Sequence, residues 1–173
     1  PDTVTRIGDN AFTSCSGLMS VTIPDSVISI GGYAFARCVG LTELIIPDSV
    51  TTIGDKAFYV CPQLISVAIG NGVINIGNSA FSNCEILKYV IIGNNVKDIG
   101  ESAFSRCNAL SSVYYYGTAE EWGEISVAAS NILLTSATIY YYSETEPALN
   151  TEGTAYNGNY WKYAEDGKTV MVW

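Results

Sequence analysis

The chain is 173 residues long, with eight basic and seventeen acidic residues and a net charge of -9. A hydrophobic fraction of 48% against 14% charged excludes a disordered tail, and no run reaches the roughly 18 apolar residues of a membrane span. The acid excess has the wrong sign for gripping a phosphate backbone, and with no histidine an imidazole base or ligand is excluded.

The chain repeats itself. Cys15, Cys38, Cys61, Cys84 and Cys107 are 23 residues apart, and the same interval carries Phe12, Phe35, Phe58, Phe81 and Phe104. Ala11, Ala34, Ala57, Ala80 and Ala103 keep it too, as do Gly8, Gly31, Gly54, Gly77, Gly100 and the leucines at 18, 41, 64, 87 and 110. In register the unit reads L-x-x-V-x-I-P-x-S-V-x-x-I-G-x-x-A-F-x-x-C-x-x. Pro1-Asp2-Thr3-Val4 aligns with Pro24-Asp25-Ser26-Val27, so the chain opens in mid-repeat and reads as a fragment or processed chain, without an initiator Met or signal peptide.

In chain order, the first full strand is expected at residues 18–23, and each later copy repeats its plan. In Leu41-Thr42-Glu43-Leu44-Ile45-Ile46 the strand alternation turns Leu44 and Ile46 to one side, a short strand with one buried face. Pro24 and Pro47 end two of these strands, and Gly70-Asn71-Gly72 and Gly93-Asn94-Asn95 turn the same corner with other chemistry. A second inward pair follows, Val50 and Ile53 in the third copy, then Gly54 at a bend. Asp55-Lys56-Ala57-Phe58-Tyr59-Val60-Cys61 has room for only one or two helical turns. Thr118-Ala119-Glu120-Glu121 is a capping box, which predicts a short helix running through Trp122 and Ile125. Leu134-Thr135-Ser136-Ala137-Thr138-Ile139 repeats the strand motif 24 residues after Leu110, a sixth rung. Finally, Tyr160-Trp161-Lys162-Tyr163 and Val170-Met171-Val172-Trp173 flank Asp166-Gly167, a hairpin signal.

The 23-residue unit resembles a leucine-rich repeat, and the run I-G-x-x-A-F-x-x-C-x-x-L-x-x-V-x-I-P resembles the BspA-like subfamily of bacterial surface proteins. The resemblance covers residues 1–116, while the Y-G-T-x-x-x-W segment and the Trp-rich ending resemble C-terminal regions that accompany such repeats. The Asn/Cys position of the general leucine-rich motif holds Ser26, Ser49, Gly72 and Asn95, so a buried asparagine ladder is not expected. The fold class follows: a β-rich leucine-rich repeat solenoid of the α/β horseshoe class. A parallel β-sheet lines one face, with short helical or 3-10 turns and loops on the other. Residues 1–116 form the solenoid of five repeats, N-terminally truncated, and 117–173 an atypical sixth repeat plus a C-terminal cap. About 57 residues are few for an independent core, which favours the cap over a separate binding domain.

Stacking places the five Phe and the five Cys in inner columns. The thiols read as small buried hydrophobes, because five equivalent copies without an imidazole do not make a nucleophile. Parallel Cβ atoms about 4.8 Å apart exceed the ~3.8 Å of a disulfide, and zinc-ligand spacing is absent. Glu120 and Glu124, four apart on one helix face, read as partners of the helix dipole rather than an acid pair. The tyrosine runs 114–116 and 140–142 read as half-buried strands with aromatic edges. No catalytic, cofactor or metal residue is therefore assigned.

The outward strand positions are Ser20, Thr22, Glu43, Ile45, Ser66, Ala68, Tyr89, Ile91, Ser112 and Tyr114. Glu43, Ile45, Tyr89, Ile91 and Tyr114 are the candidate ligand-binding set, with Tyr89, Ile91 and Tyr114 expected as an exposed apolar and aromatic patch. The resemblance implies a non-enzymatic, secreted or cell-surface module for protein or glycan binding and adhesion, its partner a protein or glycan of a host or of neighbouring bacteria. Neither nucleic acid nor membrane insertion is expected. The other readings are a structural spacer or an accessory module of a larger exported enzyme. An uncapped edge at residues 18–23 is expected to invite self-association through the N-terminal end.

Overall fold

The computed structural model describes residues 3–152, 155–156, 158–167 and 169–173, so the Pro1-Asp2 corner lies outside the described residues. The elements run β1 (Arg6–Ile7), β2 (Ser29–Ile30), β3 (Glu43–Ile46), β4 (Thr52–Ile53), β5 (Ser66–Ile69), β6 (Asn75–Ile76), β7 (Tyr89–Ile92), β8 (Asp98–Ile99) and β9 (Ser112–Tyr115). Then come α1 (Ala119–Gly123), β10 (Ser126–Val127), α2 (Ile132–Ser136), β11 (Thr138–Tyr142), β12 (Tyr160–Tyr163) and β13 (Val170–Val172).

Two sheets face each other across one core, parallel throughout except for the antiparallel β12–β13 pair. The longer strands form a seven-stranded sheet in the order β13-β12-β11-β9-β7-β5-β3, and the two-residue strands a six-stranded sheet in the order β1-β2-β4-β6-β8-β10. From Leu41 to Val127 each repeat thus contributes one strand to each sheet, and of the inward pair Ile53 lies in the second sheet on β4 while Val50 is buried just before it. Register is that of the repeat, Glu43 pairing with Ser66, Ser66 with Tyr89 and Tyr89 with Ser112. Leu44, Val67, Val90 and Val113 consequently form one buried row, since strand alternation sends every second side chain inward. Close approach explains the bend glycines: a Cβ on Gly54 would lie 2.6 Å from the carbonyl carbon of Gly31.

The segment expected as helical turns is a run of β-turns instead. Alternate amides leave the rung: Tyr33, Phe35 and Arg37 donate to Asp55, Ala57 and Tyr59 carbonyls at 2.9, 2.7 and 2.7 Å. An α-helix directs every amide along its own axis, so the two schemes exclude each other. Left-handed backbone makes the alternation possible, at Tyr33 and Arg37, Lys56 and Val60, Ser79 and Asn83, and Ser102 and Arg106. The cost of about 1 to 2 kcal/mol per non-glycine residue is offset by ladder bonds that repeat in every rung.

The Cys column has a specific bonding role. The Cys38, Cys61, Cys84 and Cys107 thiols donate to the Phe12, Phe35, Phe58 and Phe81 carbonyls, at 3.2, 3.4, 3.5 and 3.2 Å. Burial, first among the causes, pushes the Cys38 thiol up to about 11. Cys15 departs from the expected column, being exposed while the other four are buried, and Phe12 above it is 41% exposed. Both belong to the first rung of this chain, where Phe12 stacks on Phe35 alone among the described rings. Thiol titration of the native protein is therefore expected to label one cysteine fast and four only after denaturation; five protected thiols would contradict this assignment.

The expected strand at 18–23 does not form. Beyond Thr42, whose amide and hydroxyl both reach the Met19 carbonyl, at 3.3 and 3.4 Å, this segment makes no ladder with β3. The sixth rung also differs, because β11 pairs Thr138 with Ser112 and Ile139 with Val113, two residues later than the motif alignment of Leu134 with Leu110. Leu134 is buried within α2, which absorbs the extra chain.

Asn131 closes the turn column. Each Phe amide from Phe12 to Phe81 donates to the Ala carbonyl of the next rung, and Phe104 has no such rung after it. Its amide donates instead to the Asn131 side-chain oxygen at 3.0 Å, while the Asn131 Nδ2 donates to the Gly100 and Ala128 carbonyls at 2.9 Å each. A side-chain amide stands in for a missing peptide group, and Asn131 is only 3% exposed. Asn131→Ala is expected to cost about 1 to 3 kcal/mol in urea unfolding, since a buried donor and carbonyls lose their partner. A change within about 0.5 kcal/mol, the range of an ordinary surface substitution, would mean that the end is closed by something else.

Candidate functional site

The outward face of the seven-stranded sheet is built by parity. Glu43 and Ile45 on β3 stand beside Ser66 and Ala68 on β5, then Tyr89 and Ile91 on β7, Ser112 and Tyr114 on β9, with Tyr116 continuing the row. On β11 the outward residues are Tyr140 and Tyr142, and the pairing of Tyr142 with Trp161 carries the row onto β12. Ser20 and Thr22 are exposed but lie outside the strand pairing. Glu43 is exposed, Ile45 is 69% exposed, and Tyr89 and Tyr114 are half-buried.

The expected open aromatic patch does not form: Tyr89 and Tyr114 are half-buried. Tyr114 stacks on Tyr140 at 5.1 Å and Tyr116 on Tyr142 at 4.3 Å. The C-terminal hairpin brings Trp161 edge-on to Tyr114, Tyr116, Tyr142 and Tyr163, at 5.7, 5.2, 5.2 and 5.1 Å. Its indole N–H donates to the Tyr115 carbonyl at 2.9 Å, and the residue is 0% exposed. An aromatic residue with a satisfied polar handle is what a buried tryptophan requires. Ile91, expected as part of the surface, is 7% exposed and buried. The patch has closed on itself.

What remains open is a groove of about 500 Å³ beside the cluster. Ile45, Ala68 and Ile91 form an apolar floor, Tyr116 and Tyr163 one wall, and Asp25, Asp48, Ser49 and Asn71 line the strand-end corner. Burial, ahead of Tyr142 and Asp48, holds the Tyr163 phenol above its ordinary range, and burial does the same at Tyr116. The wall therefore offers neutral hydroxyls. Among the described residues no lysine or arginine lines the groove. Of the candidate set, Ile45 and Ile91 are brought together here, whereas Glu43, Tyr89 and Tyr114 are not among its lining residues. Asp25, Asp48, Tyr116 and Tyr163 were missed; the only signals were the parity of Tyr114-x-Tyr116 and of Trp161-x-Tyr163.

The acidic helix offers less than its spacing suggests. α1 is one turn, with the capping box in place: Glu121 N–H donates to Thr118 Oγ1 at 3.2 Å and Thr118 N–H to Glu121 Oε2 at 2.8 Å. Glu124 is its C-cap, and Ile125 lies beyond the helix. Among the described residues no group of three Cys, Asp or Glu is placed to hold a metal ion. None of their helices is long and apolar enough to cross a membrane.

The repeat geometry has a named counterpart, because the BspA type leucine-rich repeat region matches residues 1–132 in six copies. The chain belongs to this family. The BspA-type fold recurs in a leucine-rich cell surface protein of Faecalibacterium prausnitzii, 40% identical, with a TM-score of 0.70 over 73% of this chain and 33% of that one. A leucine-rich repeat protein of T. pallidum is 36% identical, with a TM-score of 0.62 over 64% of this chain and 52% of that one. The pneumococcal vaccine antigen PcpA shares the fold at 22% identity, with a TM-score of 0.65 over 83% and 35%. This BspA-type chain thus spans a third to about half the length of these proteins. No curated protein matches it.

Proposed function

We propose that the chain is a non-enzymatic binding module displayed on a bacterial surface or secreted, which engages a protein or glycan through the groove on its outward sheet face. The observation that carries the reading is the groove itself: an apolar floor with a few polar groups converging at one end, the usual make-up of a recognition site. Surface display is supported by the Faecalibacterium protein, described as a cell surface protein. Solenoids of this kind use their extended sheet faces for contact.

Ala68 gives the cleanest test, being half-exposed in the floor and outside the aromatic cluster. The chain is screened against arrayed extracellular-matrix proteins and glycans, and any ligand is retitrated on Ala68→Trp. A loss of at least about tenfold, 1.4 kcal/mol, with an unchanged Tm is the expected result. A ligand retained at full affinity places the contact elsewhere. No ligand at all favours a spacer, and hydrolysis of any arrayed polysaccharide overturns the non-enzymatic reading.

A further inference from the structure

Resting on that reading, we propose that the groove takes an extended peptide segment in which a lysine or arginine stands two residues from an aliphatic side chain. The aliphatic group seats on Ile45, Ala68 and Ile91, and the cation reaches Asp25 and Asp48 at the corner.

Charge argues for the cation. Among the described residues two carboxylates line the groove without a basic residue and neither meets a cation, the Arg6–Asp9 ion pair at 3.7 Å lying outside the groove. Asp48 uses Oδ1 to accept the Asn71 amide at 2.6 Å, which leaves Oδ2 for a partner. A net charge of -9 adds long-range attraction for a basic segment. The low polarity of the floor argues for an aliphatic neighbour, since Ile45 remains 69% exposed and its burial is favourable. Spacing sets the motif: in an extended peptide residues i and i+2 are the nearest pair on one face, about 6.6 Å apart. The aromatic wall argues against a sugar. A glycan platform needs a free ring face, but in this wall Tyr116 stacks on Tyr142 and Tyr163 packs against Trp161 at 5.1 Å.

The repeat supplies a clean variant. Asn71 occupies the position of Asp48 in the next rung and accepts the Asn94 amide through its own Oδ1 at 3.2 Å. Asp48→Asn therefore keeps the turn bond and removes only the charge. The probes are a capped heptapeptide carrying lysine two residues before leucine, the same peptide with glutamate for lysine, one with lysine adjacent to leucine, and chitin and peptidoglycan oligosaccharides. Titration by fluorescence polarisation is expected to show binding of the first peptide alone. The Asp25→Asn, Asp48→Asn double variant should weaken it at least about tenfold with Tm unchanged, and Ala68→Trp should abolish it. Equal affinity for the double variant, equal binding of the glutamate or adjacent-lysine peptides, or no peptide binding overturns this inference. A glycan lost with Ala68→Trp but indifferent to the aspartates overturns the peptide while leaving the groove's binding function standing.

Discussion

Phe58→Ala is expected to lower stability by about 3 to 5 kcal/mol, the loss typical of a large core side chain removed from a site that cannot collapse. Phe58 is fully buried and stacks between Phe35 and Phe81, with ring centroids 5.2 Å away on each side and planes within 3° and 1° of parallel. Its backbone is held as tightly: the amide donates to Ala80 at 2.8 Å and the carbonyl accepts the Cys84 thiol at 3.5 Å. Neighbouring rungs cannot slide inward to fill the void without breaking bonds that repeat along the solenoid. Phe12→Ala is the internal control, since Phe12 stacks on Phe35 alone and is 41% exposed. Urea unfolding monitored by circular dichroism should separate the two variants clearly. A loss below about 1 kcal/mol at Phe58, or equal losses at Phe58 and Phe12, would refute the internal column.

Why the repeat was legible and its details were not is a matter of where the physics is periodic. The columns of Phe, Cys and Leu recur because each rung buries its apolar side chains against copies of the same residues, so spacing alone placed Phe35, Phe58, Phe81 and Phe104 inside. The turn segment was read as helical because Ala57-Phe58-Tyr59 carries no signal against helix; what forbids it is hydrogen bonding to a rung 23 residues away. Val60, a β-branched residue at φ 59°, shows tertiary bonding overriding local preference. In the first rung motif identity does not by itself guarantee burial, as the exposed Cys15 shows. Asn131 could have been anticipated: a column of Phe amides must end on an acceptor, and a buried amide left unpaired is costly.

The groove was less legible still, because it joins residues with unrelated spacing. Ile45 and Ile91 came from strand parity, but the wall depends on Tyr163, which the hairpin delivers from beyond the repeats. Nothing periodic links Tyr163 to Asp48. Their proximity exists only once β12 has paired with the end of β11 and Trp161 has docked.

That dependence makes Trp161 the second large effect. Trp161→Ala is expected to remove about 3 to 5 kcal/mol from the hold on the C-terminal hairpin. The β11–β12 ladder pairs only Tyr141 with Tyr160 and Tyr142 with Trp161, so the ring contacts supply most of that hold. Trp161→Phe keeps apolar bulk and loses the bond to the Tyr115 carbonyl, a loss of about 1 kcal/mol. Because Trp161 lies outside the buried cluster that holds the Phe column, the alanine variant should open locally: hydrogen exchange accelerates in β12 and β13, and limited proteolysis cuts after Tyr142 while the repeats stay protected. Tyr114, Tyr116 and Tyr142 would then be uncovered, and peptide binding to the groove would fall with the loss of Tyr163 from its wall. If exchange instead rises uniformly from β3 to β13, hairpin and repeats form one cooperative unit and the cap is part of the core rather than a cover upon it.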